Sequence, residues 1–272
     1  MKQPRKHLLC LLLALWLTGV LLAGCAADTA DTNADLPVIT VGCDNYPPFT
    51  YVDSDGKPVG IDVELADEAF RRMGYRPEFV TINWAEKNTL LENGVIDCIW
   101  SSFSMSGRAD EYTWAGPYMY SHQVVAVMPD SDIQTLADLA GKTVVVQATT
   151  KPESLFLDGN DPRIPEIRAL HSLQKRELIY SYLSKGYADA VAAHETSILQ
   201  FMKDYGVEFR ILEEPLEAVE LGVAFSRSGD RGIAQALSAT LEQMQADGTT
   251  RSILASYLAD PDKYLEADGY AD

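Results

Sequence analysis

Leu90–Arg108 read LLENGVIDCIWSSFSMSGR and carry the clearest architectural signals in the chain. A helix predicted over Ala85–Glu92 ends at Asn93-Gly94, and an apolar strand predicted over Ile96–Trp100 follows it. Four serines and an arginine come directly after that strand. Because α/β folds bind ligands at the carboxyl ends of their buried strands, this stretch predicts both a fold class and the place of a site.

The alternation of strands and helices continues on both sides. Before this stretch, we predict a strand over Val38–Gly42, a turn region over Tyr51–Gly60, a helix over Ile61–Met73 and a strand over Glu78–Ile82. After it the pattern restarts, with strands over Val124–Met128, Thr143–Gln147 and Ala188–Ala192, helices over Gln134–Leu139 and Leu173–Ser184, and two C-terminal helices, the second capped by Thr249. Two such βαβ systems predict an α/β protein of two lobes, with ligands bound between them.

Composition narrows the possible functions. The chain has 272 residues, 47% of them hydrophobic, and carries 22 basic against 40 acidic residues for a net charge of −18. This acidity argues against nucleic acid or an anionic lipid surface as a partner, because both are held by Lys and Arg. Four cysteines are too few for a disulfide-built scaffold. The common nucleophile, metalloprotease and nucleotide motifs are absent, and the histidines show no metal-ligand spacing.

The N-terminus has the three-part layout of a secretory signal peptide. Three basic residues precede an apolar run from Leu8 to Ala23, and the alternative is an uncleaved membrane anchor helix. The segment Leu22-Ala23-Gly24-Cys25 resembles the bacterial lipoprotein cleavage box. That resemblance implies a signal peptide over residues 1–24 and a diacylglyceryl lipid on Cys25. Residues 25–35 are polar, and we predict a flexible tether there.

Two segments offer groups suited to a small acidic ligand. Prolines after the first strand present Tyr46 and Phe49 as stiff aromatic surfaces, unless both rings belong to the core. Trp84 offers a second aromatic wall for the ligand, unless its ring also belongs to the core. Serine hydroxyls, free backbone N–H groups and Arg108 make a carboxylate receptor, the alternative being a solvated serine loop with a surface arginine.

Two weaker candidates follow later strands. Thr149 and Thr150 come after the strand TVVVQ, where hydroxyls and helix N-terminal amides could hold an anion, or where they simply cap a helix. His194 and Glu195 follow ADAVAA, where a capped helix start is as good an interpretation. The sequence leaves open whether Cys43 and Cys98 form a disulfide.

The chain resembles the polar amino acid-binding proteins of ABC importers, the family 3 extracellular solute-binding proteins, over residues 36–260. The similarity is carried by these segments in order: VGCDNYPPFTY, GKPVGIDVELADEAFRRMG, LLENGVIDCIWSSFSMSGR, WAGPYM, DLAGKTVVVQATT, YADAVAAHE, LGVAFSR and LEQMQADGTTRSILASYL. It implies a type II periplasmic-binding-protein fold, α/β with two lobes joined by two hinge strands. Lobe one would comprise residues 36–123 plus 226–272, and lobe two residues 124–225.

The resemblance also implies roles for individual residues. Tyr46 and Trp84 would flank the ligand side chain, and Asp44 would lie near the pocket floor. The α-carboxylate would be bound by the following groups: Ser101, Ser102, Ser104 and Arg108, helped by Thr149 and Thr150.

Two positions depart from the family pattern. Arg108 follows the serine run one residue sooner than in the commoner family pattern, with Gly107 in the shortened turn. His194 stands where the family has an aspartate for the α-ammonium, and a neutral imidazole is a poorer partner for it. Glu195 is adjacent and could substitute if the turn shifts.

We therefore expect a binding protein rather than an enzyme. It would be monomeric, free of metals and cofactors, lipid-anchored on the extracytoplasmic face of the cell membrane, and would pass an amino acid or related small carboxylate to an ABC transporter permease. One alternative is an enzyme resembling cyclohexadienyl dehydratases, with His194 or Glu195 as general acid. Another is a ligand-sensing ectodomain component.

Overall fold

Strands and helices form a layered α/β arrangement in the computed structural model, which describes residues 36–229 and 231–266. The predicted signal peptide, the lipidation site Cys25 and the tether over residues 25–35 lie outside the described residues. None of the helices within the described ranges is long and apolar enough to cross a membrane.

Eleven strands and seven α-helices alternate along the described chain. The strands are β1 Val38–Cys43, β2 Tyr51–Val52, β3 Pro58–Val59, β4 Arg76–Thr81, β5 Cys98–Ser104, β6 Thr113–Val127, β7 Thr143–Gln147, β8 Ala169–Leu173, β9 Ala190–His194, β10 Arg210–Ile211 and β11 Glu217–Phe225. The α-helices are α1 Ile61–Met73, α2 Lys87–Glu92, α3 Lys151–Asp158, α4 Arg176–Ser184, α5 Glu195–Tyr205, α6 Arg231–Ala246 and α7 Thr249–Ala255. Short 3₁₀ turns cover Trp84–Glu86, Leu136–Leu139 and Asp262–Tyr264.

The large sheet combines two parallel groups through antiparallel strands. Its order is β4-β1-β5-β11-β6-β9-β7-β8, with β10 added at β6. Strand β1 is parallel to β4 and β5, and β7 is parallel to β8 and β9. Strands β6 and β11 pair antiparallel to each other between these groups. The parallel pairing predicted from strand–helix alternation is therefore present in both groups.

Buried apolar side chains divide along the same line. Two hydrophobic clusters use only residues 39–119 and 219–265, and two others use only residues 124–216. The 15-residue strand β6 contributes to both sets, with Met119 in the first and Val124 in the second. The exact lobe boundaries given by the sequence resemblance stay a prediction.

Helix α1 shows how the sequence pattern produces the packing. Ile61, Leu65, Ala69 and Phe70 are all buried on one face, as predicted. The N–H groups of Ile61 and Asp62 donate to the carbonyls of Pro48 and Phe49, at 2.9 Å each. A side chain at Gly60 (φ 126°) would overlap the Phe49 carbonyl, so this close approach requires glycine. The start of α1 thus fixes the loop that carries Tyr46.

Several predicted elements need correction. The turn region contains a short hairpin of β2 and β3, and the predicted helix after residue 84 begins as a 3₁₀ turn. Strand β5 starts later than predicted and continues through Ser104, so Ser101, Ser102 and Ser104 lie within a buried strand rather than a solvated loop, and Ser106 follows in a turn. Thr249 is the first residue of α7, not its cap: Gly248 is the cap, and Asp247 Oδ1 accepts the Thr249 N–H at 3.0 Å. Strands β8, β10 and β11 carry no alternation strong enough to have been predicted.

Candidate functional site

A small cavity lies where the carboxyl ends of β5 and β9 approach the starts of α3 and α4. Its volume is about 20 Å³. The lining residues are Trp84, Ser101, Ser102, Phe103, Ser104, Arg108, Gln123, Thr150, Lys151, Pro152, Arg176 and His194. That volume has room for roughly one water molecule, so the walls are nearly in contact.

The first wall of the cavity is the serine cluster, which we define as Ser102, Ser104 and Arg108. Both serine hydroxyls are buried without a hydrogen-bond partner in the described residues. Ser102 adopts a left-handed backbone conformation (φ 43°), uncommon for a residue with a side chain. A buried hydroxyl without a partner is costly, so these groups are suited to a ligand.

Asp62 holds the serine cluster from behind. Its carboxylate accepts hydrogen bonds from the Ser102 N–H at 2.6 Å and the Tyr118 hydroxyl at 2.9 Å. Burial raises the pKa of Asp62 to about 7, and the two donated hydrogen bonds act in the opposite direction. Sequence reasoning placed Asp62 only in the first turn of a helix, where an acid is ordinary, and therefore missed this role.

Arg108 supplies the positive charge of the serine cluster. Its Nη1 donates to the Ser104 carbonyl at 3.2 Å, and its guanidinium lies 5.3 Å from the Phe103 ring centroid. Within the described part of the chain Arg108 forms no ion pair, and burial lowers its pKa. Gly107 (φ 73°) occupies the left-handed region that the shortened turn requires. The arginine does reach the cavity despite the missing residue.

The second wall is the Tyr46 cluster, which we define as Asp44, Tyr46 and Arg176. The Arg176 Cζ lies 3.3 Å from the Tyr46 ring centroid, and its Nε lies 3.4 Å from Asp44 Oδ2. Asp44 Oδ2 also accepts from Gln147 Nε2 at 2.7 Å. Tyr46 and Asp44 therefore lie behind Arg176 rather than on the cavity surface itself.

His194 lines the cavity as a neutral side chain. Burial, and then the positive charge of Arg176, lower its pKa to about 3. The ring nitrogens contact Ser121 Oγ at 3.0 Å and Gln123 Nε2 at 2.9 Å. Glu195 is directed elsewhere: its carboxylate pairs with Lys263 at 2.9 Å and is not among the lining groups. A carboxylate for a ligand ammonium is thus missing from the described lining.

Lys87 forms hydrogen bonds to both Trp84 and Thr149. Its Nζ donates to Thr149 Oγ1 at 3.1 Å and to the carbonyls of Thr149 and Trp84 at 3.3 and 3.4 Å. Burial, and then the charge of Arg108, lower the pKa of Lys87 to about 8. Thr149 is left-handed (φ 57°) and faces Lys87, whereas Thr150 lines the cavity and donates to the Gln147 carbonyl at 2.6 Å.

The structure brings together most of the predicted site residues. Those lining the cavity are Trp84, Ser101, Ser102, Ser104, Arg108, Thr150 and His194; those one layer behind or elsewhere are Asp44, Tyr46, Thr149 and Glu195. Gln123, Lys151 and Arg176 also line it and were not predicted. Gln123 lies in the middle of a long strand, and Lys151 and Arg176 begin helices, where polar residues are ordinary. Cys43 and Cys98 are buried free thiols.

The sequence and the fold of this chain are similar to those of known proteins. A sequence profile of the bacterial extracellular solute-binding proteins, family 3, matches residues 39–260. The putative amino-acid ABC transporter-binding protein PatH of Vibrio harveyi is 30% identical over 237 residues, which are 86% of this chain and 93% of the relative. The glutamate-binding protein GluB of Corynebacterium glutamicum is 27% identical, covering 92% of this chain and 90% of the relative. A solved structure, Tv2483 bound to L-arginine, has a TM-score of 0.75 at 25% identity, covering 82% of this chain and 91% of that one.

Proposed function

Because the chain belongs to the bacterial extracellular solute-binding proteins of family 3, we propose that it binds an amino acid or a related small carboxylate in this cavity. The predicted type II periplasmic-binding-protein fold is confirmed by the family match and by the likeness to solved binding proteins. The relatives reported above are binding proteins by their descriptions, one for glutamate and one solved with L-arginine. The ligand of this chain is part of the proposal.

One observation supports the acid end of the ligand most directly. The buried Arg108 has no ion pair in the described structure, and two serine hydroxyls beside it have no partner. A carboxylate would satisfy all three groups at once, because a guanidinium binds it in bidentate fashion and hydroxyls donate to it. We therefore propose Arg108, Ser102 and Ser104 as the receptor for the ligand carboxylate.

Binding requires the cavity to enlarge. A volume of about 20 Å³ does not hold an amino acid, so the walls must separate to admit one. We propose that β6 and β11 act as the hinge strands between the two lobes, and that contacts such as Lys87–Thr149 and Asp44–Gln147 close the cleft again. The ligand would leave chemically unchanged for an ABC transporter permease.

The first experiment is a thermal-shift screen of the purified chain against the common amino acids and small dicarboxylates, followed by calorimetry on those that stabilise it. A ligand bound only by the folded protein raises the melting temperature, and the rise grows with the logarithm of the ligand concentration divided by its Kd. At least one carboxylate should bind, and the compound recovered from the protein should be chemically unchanged. Recovery of a converted product, or no binding by any of these compounds, would refute the proposal.

We further propose that Cys25 carries the lipid that holds the protein at the extracytoplasmic face of the membrane. Replacing Cys25 by serine should prevent lipidation and shift the protein into the soluble fraction or leave an uncleaved precursor. Cys10→Ser, inside the apolar run of the same segment, is the matched control and should stay membrane-bound. Metabolic labelling with a fatty acid measures the difference, and equal labelling of wild type and Cys25→Ser would contradict it.

A further inference from the structure

Arg176 occupies a place built for a cation. An aromatic face and a carboxylate together attract a positive group, and Tyr46 and Asp44 provide both. The Arg176 Cζ lies over the Tyr46 ring, 3.3 Å from its centroid, and the arginine side chain is only 8% exposed. A residue of the protein itself therefore fills the subsite that a ligand ammonium or guanidinium would otherwise take.

The charges facing the cavity have one sign. Arg108, Lys151 and Arg176 line it, and none of the described lining residues is an aspartate or a glutamate. Lys151 is already paired with Glu217 at 3.0 Å. Arg176 is paired with Asp44 only through Nε, at 3.4 Å. Arg108 lacks an ion pair altogether in the described structure, so two guanidinium groups remain available to acid groups of a ligand.

Asp44 does not offset the positive charge of the cavity lining, because it is not free to bind a cationic group of the ligand. Its Oδ1 accepts the Asn45 N–H at 2.9 Å, and its Oδ2 accepts from Gln147 as well as from Arg176. The carboxylate is thus already satisfied by protein donors. The unpartnered side-chain acceptors at the cavity are uncharged: Gln123 Oε1 and the hydroxyls of Ser102 and Ser104. Neutral oxygens stabilise a full positive charge far less than a carboxylate does.

We propose that Arg176 is a specificity-determining residue that makes the cavity select ligands with two acid groups and reject ligands with a cationic far end. One acid group binds the serine cluster and Arg108, and the other binds the terminal nitrogens of Arg176. This inference rests on the proposed binding function and names its substrate class. The ligand class is a small dicarboxylate, with or without an amino group.

The test uses pairs of compounds that differ in charge at one end and little in shape. L-glutamate is compared with L-glutamine, and L-citrulline with L-arginine, by calorimetry on the purified full chain. Wild type should bind L-glutamate at least tenfold more tightly than L-glutamine, and L-arginine at least tenfold more weakly than L-citrulline. Glutarate, which has two acid groups and no ammonium, should also bind more tightly than L-glutamine.

Removing the side chain should reverse the preference. In Arg176→Ala the preference for L-glutamate should disappear, and L-arginine should become the tighter member of its pair, because Tyr46 and Asp44 are then free to hold its guanidinium. Arg176→Lys keeps a cation there and should retain the preference for L-glutamate. Arg251→Ala is the matched control: it also breaks an arginine–aspartate pair, with Asp262, but away from the cavity, and should leave both ratios unchanged.

The outcomes separate the two proposals. If wild type binds L-glutamine as tightly as L-glutamate, or L-arginine more tightly than L-citrulline, the inference on Arg176 is overturned while the binding function stands. If wild type binds none of the compounds in this set or in the wider screen, the binding function fails and the inference fails with it. Should Arg176→Ala not fold, the wild-type ratios and Arg176→Lys still decide the question.

Discussion

The serine cluster and the Tyr46 cluster face the same cavity but differ in how their polar groups are satisfied. In the Tyr46 cluster every charge has a protein partner: Arg176 meets Asp44, and Asp44 also meets Gln147. In the serine cluster two hydroxyls lack partners and Arg108 forms no ion pair within the described structure. Unsatisfied buried groups are costly, so the serine cluster should gain most from a ligand, while the proposed role of the Tyr46 cluster is to select among ligands by their charge.

Substituting Arg108 should have the largest effect on ligand affinity. Arg108→Ala removes the charge of the serine cluster and should weaken binding by about 30-fold or more, since breaking a buried charged hydrogen-bonded contact costs roughly 2–5 kcal/mol. The fold should survive, because no carboxylate loses a partner. Calorimetry with the ligand found in the screen measures the effect, and an unchanged affinity would remove Arg108 from the site.

Trp84 should have a smaller effect on the same side of the cavity. It is buried against Phe103 at 5.2 Å between ring centroids and lines the cavity. Trp84→Ala should weaken binding by roughly 1–3 kcal/mol, the usual range for an aromatic contact. Trp84→Phe keeps most of the apolar surface and serves as the control, with a loss of only a few-fold. Equal affinities for wild type and Trp84→Ala would assign this ring to the core alone.

The smallest expected effect is the pH dependence of wild-type stability, because the contributions of Asp62 and His194 oppose each other. Because the folded-state pKa of Asp62 is raised to about 7, Asp62 stabilises the folded protein below about pH 4, and this stabilisation is lost as the pH rises to 7. The folded pKa of His194, lowered to about 3, makes stability fall as pH drops from about 6.5. Between about pH 4 and 6.5 these contributions largely cancel.

Asp62→Asn should expose this cancellation. With the contribution of Asp62 removed, the free energy of unfolding should decrease on acidification from pH 6.5 to 4 by up to about 1.4 kcal/mol per pH unit more than in wild type. Urea unfolding at several pH values measures both slopes. Parallel slopes for the two proteins would show that Asp62 is ionised throughout this range.

The elements with clear periodicity were predictable from the sequence. Helix α1 and strand β7 have the predicted bounds, and the parallel pairing followed from the alternation of strands and helices. The serine run was recognised as a candidate receptor because hydroxyls and an arginine after an apolar strand are chemically distinctive. Its burial within β5 was not predicted, because serines rarely continue a strand pattern.

Arg176 shows what a single sequence does not provide. In the stretch LQKRELIY it is one of two adjacent basic residues in the first turn of the helix predicted over Leu173–Ser184, where a solvated side chain is typical. Its place against Tyr46 depends on a contact across 130 residues of chain. Asp62 was missed for the same reason, since its partners Ser102 and Tyr118 come from distant strands. Charge at a site depends on such long-range pairing rather than on local composition.

Lys87 offers a practical means of observing the protein at work. Its side chain is only 6% exposed and contacts Thr149 from the opposite side of the cleft. A dye that reacts with amines would reach this buried side chain only when the cleft opens. Its rate of attachment to Lys87 would therefore serve as an optical reporter of how often the cleft is open.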